Sequence, residues 1–222
     1  MSPLTPATKP KTIVVFGGGT MMHVRNHMAL CAPAYGTTAR KIAMLLDAED
    51  YCVKLRLTKM ADPASNLETN DDVEKALREV LDDPNTVGIV FNVALCDFSG
   101  QIGDIPSGKY ADRLQTRDVT EKGLALTLRP TKKLLMLIHQ LRPDIVSVGF
   151  KTTANESMHI QVEKCNRMAA ETKVSWMFAN DTVTRNNMVL RRGHQDALYN
   201  GNERNNALLV LTQALLQDLR RK

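Results

Sequence analysis

Four short apolar runs, each stopping abruptly at Gly, Asp or Asn, constrain this chain more than any other feature. They run from Ile13 to Thr20, from Asn92 to Phe98, from Val148 to Lys151 and from Met177 to Asp181. Runs of this kind read as buried parallel strands that deliver polar groups to one edge of a sheet. Open α/β sheets bind ligands just beyond the carboxyl ends of their strands. Four such ends therefore predict one shared site, for a phosphorylated guest.

The 222 residues suit one α/β domain with a substantial core. Lys and Arg (29) exceed Asp and Glu (24) by 5, and the excess is spread along the chain, which suits anionic small molecules. Aromatic residues are only 5%, and no basic run has interleaved aromatics, so no nucleic-acid partner is expected. Cys31, Cys52, Cys96 and Cys165 form no C-x-x-C pair. They read as free thiols in a reducing, cytoplasmic compartment. No apolar stretch approaches the roughly 20 residues that span a bilayer, so no membrane association is expected. Residues 1–11 are rich in Pro, Thr and Lys and read as a disordered leader before a single domain, 12–222.

Strands are expected at 12–16, 51–57, 86–94, 123–128, 145–149 and 174–178. Helices are expected at 36–47, 70–81, 131–141, 156–170 and 205–220, with a small hairpin formed by 188–190 and 197–199 around Gly193. Residues 17–35 read as a long loop, and 99–122 as an irregular flap, since a structureless stretch of that length is usually functional or disordered. Alternating strands and helices imply a Rossmann-like, doubly wound, mostly parallel sheet.

The candidate chemistry follows from residue type and place. Gly17, Gly18, Gly19 and Thr20 end a strand, where glycine backbone can approach and cradle a phosphate. Gly36, Thr37 and Thr38 open a helix, a natural anion site. Asp97, with Phe98 beside it, ends a buried strand and could meet a ribose hydroxyl, a base amino group or Mg²⁺. Phe150 and Lys151 could stack on a base and neutralise phosphate. Asn180 and Asp181 offer polar groups at another strand end. Lys109, Arg113 and Arg117 could close the flap over phosphates. His23 and His27, spaced i, i+4, would share a helix face, but zinc needs at least a third ligand and no metal site is expected. The incomplete Gly fingerprint, with no clear acidic residue ending the second strand, argues against an NAD(P)-dependent oxidoreductase.

Taken in order, these segments resemble phosphopantothenoylcysteine synthetase (phosphopantothenate–cysteine ligase) in its standalone form. The resemblance rests on Gly18-Gly19-Thr20, Val24-Arg25, Gly36-Thr37-Thr38, Ala94-Leu95-Cys96-Asp97-Phe98, the basic stretch 128–133, Gly149-Phe150-Lys151 and Ala179-Asn180-Asp181. It implies a ligase of coenzyme A biosynthesis that uses CTP or ATP with Mg²⁺ to activate 4′-phosphopantothenate as an acyl-nucleotide, which the amine of cysteine then attacks. It implies a homodimer, a nucleotide held by the strand-end residues above, and catalytic cations at Arg25 and at Lys109 or Arg113. The family's Asn and Ser-Ser-Gly-Lys before the first helix are replaced here by 28–36, and its Lys-Ile flap motif is absent. A non-catalytic nucleotide-binding or regulatory relative is the alternative.

Overall fold

Alternation along the first strand sets the layers of the molecule. Ile13 and Val15 pack to one side and Val14 and Phe16 to the other, and all four are essentially inaccessible to solvent. A strand buried on both faces needs a cover on each. The computed structural model describes residues 10–47, 51–194 and 196–222, so most of the expected leader lies outside the described residues.

The elements, in chain order, are β1 (Thr12–Gly19), β2 (Met21–Arg25), β3 (Met28–Cys31), α1 (Thr37–Leu46), β4 (Cys52–Leu57), α2 (Asn70–Asp82), β5 (Thr86–Ala94) and β6 (Phe98–Ile102). There follow β7 (Leu126–Pro130), α3 (Leu135–Leu141), β8 (Val146–Thr153), α4 (Met158–Thr172), β9 (Trp176–Asp181), β10 (Asn187–Arg191), β11 (Ala197–Gly201) and α5 (Arg204–Arg220). The main sheet has the order β11-β10-β9-β8-β5-β1-β4. The strands β4, β1, β5, β8 and β9 are parallel, and β10 and β11 add an antiparallel edge. Helices α1 and α5 cover one face, while α2, α3 and α4 cover the other. Each fully buried Ile or Phe contributes about 1.5–3 kcal/mol. The fold class is the one the alternation of runs predicts. No helix among the described residues is long and apolar enough to cross a membrane.

Chain order reverses between β1 and β5, where β1 feeds outward to β4 and the later strands run the other way. At such a switch point the loops diverge and leave a crevice at the carboxyl edge. The loops from β1, β4 and β5 all reach this point.

Three expectations need correction. The stretch 17–31 is not a loop. β1 continues in register with β5 through Gly17↔Asn92, Gly18↔Val93 and Gly19↔Ala94, and β2 and β3 form an antiparallel hairpin. His23 therefore lies on a strand and His27 in a turn, so no helix face joins them. The flap is partly ordered as a ribbon, because β6 pairs with β7 from Phe98↔Pro130 to Ile102↔Leu126. Its second strand begins at Leu126, not Gly123. Pro130 can end it because the ribbon's outer edge needs no donor there. The cap of α2 is Thr69, which forms a reciprocal pair with Asp72, and this frees the Asn70 side chain for another use.

Candidate functional site

The carboxyl edge is first knotted together by neutral groups. The Thr20 hydroxyl donates to Asn70 Oδ1 at 2.6 Å and accepts from the Cys96 N–H at 2.9 Å. Asn70 Nδ2 donates to the Cys96 carbonyl at 2.8 Å, which also accepts from the Thr131 hydroxyl at 2.8 Å. These bonds tie the ends of β1 and β5 to the start of α2. Thr20 is fully buried, so its place is in this knot rather than on an open surface.

The three glycines are enclosed as well. A Cβ on Gly17 would collide with the Ala39 methyl, one on Gly18 with the Thr58 hydroxyl, and one on Gly19 with the carbonyl of Ala32. Protein atoms thus occupy the space that a side chain would take at all three glycines. Their small size serves close packing of α1 and of the β3–α1 and β4–α2 loops.

The open anion-binding geometry lies one step along, at α1. Its N-cap is Gly36, at φ 73, a left-handed conformation that glycine adopts without strain. No side chain caps the helix and no acidic residue lies in its first turn. Its leading N–H groups and positive dipole end are therefore free of a protein carboxylate. Thr37 is exposed and Thr38 half-buried. Arg204, from the first turn of α5, donates through Nη2 to Thr38 Oγ1 at 2.9 Å and through Nη1 to Asn187 Oδ1 at 3.2 Å. Its guanidinium carbon lies 5.2 Å from the Phe178 ring centroid. Phe150 packs against Phe178 with centroids 5.4 Å apart and remains partly open to solvent. Burial pushes the Arg204 pKa down, a sign that the charge is held without full compensation.

Arg204 was not legible as a site residue, although a cation in the first turn of a helix runs against the macrodipole and is a usable signal. Phe150 and Lys151 do not act as a pair. Neighbouring strand residues point to opposite faces. Phe150 packs on the α1/α5 side, while Lys151 lies near enough to Cys165 of α4 to oppose the effect of burial on that thiol.

A second cavity, of about 530 Å³, opens by the β4–α2 loop and is lined by His23, Lys59, Glu68, Thr69 and Lys109 among others. Glu68 is ion-paired with Lys109 and lies 3.6 Å from His23 Nε2 and 4.0 Å from Lys59 Nζ. The hydrogen bond from Lys109 holds the Glu68 carboxyl below the usual range, against burial, and the charges of Lys59 and His23 assist. The same bond raises the Lys109 ammonium. Lys59 and Glu68 were missed because both lie in the irregular β4–α2 loop, and His23, weighed only as a metal ligand, joins them through the β2–β3 hairpin.

The remaining expected residues are dispersed. Arg25 is 1% exposed, with Nη1 donating to the Val24 carbonyl at 2.7 Å and Nη2 to the Ile102 carbonyl at 2.6 Å, while Nε has no partner. It clamps β2 to β6. Arg113 is exposed and forms no ion pair among the described residues. Asp97 is exposed and lies 3.6 Å from Lys133 Nζ, and Phe98 is exposed at the start of β6. Asn180 accepts from the Thr152 hydroxyl at 3.2 Å. Asp181 is buried and saturated by the N–H groups of Asn155, Glu156, Val183 and Thr184 and by the Thr153 hydroxyl. Burial alone would raise its pKa, but those donors outweigh it and hold the carboxyl far below the usual range. Its work is to fix two loops.

The seven-stranded sheet with a helical layer on each face defines a Rossmann-like α/β fold. Among the solved structures that share it are three. The DNA/pantothenate metabolism flavoprotein from Streptococcus pneumoniae superposes with a TM-score of 0.72 at 18% identity, over 96% of this chain and 99% of that one. A Cab2 mutant in complex with phosphopantothenate-cysteine gives 0.65 at 14%, over 95% and 87%. The C-terminal domain of the coenzyme A biosynthesis bifunctional protein CoaBC gives 0.63 at 13%, over 98% and 97%. At these identities the likeness is one of fold. No family model and no curated protein sequence matches the chain.

Proposed function

We propose that the chain is a nucleotide-dependent ligase that joins 4′-phosphopantothenate to cysteine through an acyl-nucleotide. One observation carries the reading. The uncapped N-terminus of α1, the half-buried Arg204 and the Phe150–Phe178 pair adjoin one another, since Arg204 donates to Thr38 and lies over Phe178, which packs on Phe150. That arrangement offers N–H groups and a cation to a polyphosphate and a partly open ring to a base. The Cab2 structure with phosphopantothenate-cysteine supports the choice of reaction.

In the first step the carboxylate of 4′-phosphopantothenate attacks the α-phosphorus of CTP or ATP, and the α–β anhydride breaks to release pyrophosphate. In the second the amine of cysteine attacks the acyl carbon, the nucleoside monophosphate departs and the amine loses a proton. The α1 N–H groups and Arg204 hold the phosphates and offset the charge that develops on them. Lys109 is the flap cation nearest to such a role, once Glu68 releases it. Mg²⁺ suits this site as a passenger on the nucleotide phosphates. Among the described residues no three His, Cys, Asp or Glu side chains converge on one point. The exposed Phe98, Leu126 and Leu128 of the β6–β7 ribbon are suited to pairing in a homodimer.

The test is pyrophosphate release in the presence of phosphopantothenate, cysteine, Mg²⁺ and each nucleotide in turn. Release that needs both acid and amine supports the ligase. The engagement of Lys109 by Glu68 favours a second reading, a nucleotide-binding relative without turnover. Tight nucleotide binding with no pyrophosphate in any combination would establish that reading instead.

A further inference from the structure

The opposite edge of the sheet carries a separate concentration of charge. There the amino ends of β8 and β9 meet the carboxyl ends of α3, α4 and α5, around a cavity of about 590 Å³. Lys173 comes from the C-cap of α4, Arg191 and Arg192 from the end of β10 and the turn after it, Arg221 from the C-cap of α5 and His139 from the last turn of α3. Asp218 is the carboxylate that lines the cavity.

Asp218 is already engaged. Trp176 Nε1 donates to it at 3.0 Å, Arg191 Nη2 at 3.1 Å, and Arg221 Nη1 lies 3.9 Å away. Arg192 Nη1 donates to the Lys173 carbonyl at 2.5 Å, which brings those two cationic residues together at the foot of α4. Among the described residues, no carboxylate pairs with Lys173 or Arg192.

Compensation of helix dipoles is the ordinary use of cations at such an edge. Its magnitude decides how far that use reaches. Three helix C-termini supply about half a negative charge each, and Asp218 supplies one more. Against them stand the five positive charges of Lys173, Arg191, Arg192, Arg221 and Lys222. About two and a half positive charges remain, gathered in a cleft where the field is focused. A phosphate monoester carries about −1.5 to −2 at neutral pH, which that excess can neutralise. The cavity falls within the size range of small-molecule sites. Pro143, Ile145 and Val146 give the organic part of such a ligand an apolar surface.

We infer that this cleft binds a phosphate monoester, at a site separate from the carboxyl-edge crevice and independent of the ligase reading. The probe is glycerol 2-phosphate, titrated calorimetrically into the full chain, with inorganic phosphate in parallel. Lys173→Asn with Arg192→Gln removes two charges and leaves a residue that tolerates the left-handed backbone at 173 (φ 60). This pair should weaken glycerol 2-phosphate more than tenfold. Arg56→Gln with Lys75→Asn removes the same charge from exposed positions elsewhere and should change affinity less than twofold. Arg204→Met should leave this binding in place. Urea midpoints establish that each variant is folded. Inorganic phosphate binding as tightly as the ester would overturn the choice of a monoester as the ligand. The proposal is overturned by an equal loss in both charge-removing pairs, by loss on Arg204→Met alone, or by no binding to the wild type.

Discussion

Replacing Arg204 by Met separates a binding residue from a structural one. In the absence of ligand the guanidinium has two hydrogen bonds to neutral side chains and a contact over Phe178. The bonds, made by a charged donor, contribute about 1.5–3 kcal/mol each and the ring contact about 0.5–1 kcal/mol. Against that stands the desolvation of the charge, several kcal/mol for a fully buried ion and less for a half-buried one. Met restores apolar contact with the ring and carries no desolvation cost. It also leaves Oδ1 of the buried Asn187 without its partner, which costs about 1–3 kcal/mol, so a urea melt should show a loss of about that size. Nucleotide affinity should fall as well, for a separate reason. Charge-assisted bonds to phosphate are worth about 1.5–3 kcal/mol, which is about a 10- to 150-fold loss. Calorimetric titration of CTP and ATP into wild type and Arg204→Met reads it directly. A loss of stability with unchanged nucleotide affinity would make Arg204 a clamp between α1 and α5 and refute the site.

Glu68→Gln should destabilise only within a pH window. The folded Glu68 pKa is lowered, so its contribution is complete above the unfolded value of about 4.3 and lost as pH falls through the folded value. Lys109 is raised, so its share fades as pH rises above about 10.4. The stability difference from wild type, measured by denaturant melts, should therefore be present at pH 7 and fade only as pH falls below about 4.3 and through the lowered folded value. Asn70→Ala removes the acceptor of the buried Thr20 hydroxyl and one donor to Cys96, and should cost about 2–3 kcal/mol, or about 4–7 °C in Tm for a chain of this length. Burial pushes the Cys165 thiol up to about 12, so it should resist Ellman's reagent in the native protein while the exposed Cys31 reacts.

The fold was legible because its signal is local. Each strand that ends at the site is an apolar run closed by a polar residue, and β5 spans the residues that the pattern marks. The site was less legible because its partners meet through packing. Gly36 and Thr38 could be found from a helix start, but Arg204 reaches them across more than 160 residues of chain. The β2–β3 hairpin was hidden by a histidine, an arginine and an Asn-His turn inside an otherwise apolar stretch. Without that hairpin, nothing places His23 beside Glu68. Asp181 was misleading for a different reason. A carboxylate at a strand end offers the same letters whether it meets a ligand or, as here, four backbone N–H groups.

The glycine run shows how one sequence signal can be tied to a site without being its surface. Gly17 lets Ala39 of α1 press against β1, and Gly18 and Gly36 both leave room for Ala61 of the β4–α2 loop. Any side chain at Gly17 would push α1 away from the sheet, since the Ala39 methyl already fills the space. Helix α1 also packs against α5, whose first turn carries Arg204. A displaced α1 would therefore separate Thr38 from Arg204 and open the crevice that the proposed nucleotide needs closed. On this argument the glycines act at one remove. They set the depth at which α1 sits, and that depth decides whether its N-terminus and Arg204 can face the same phosphate.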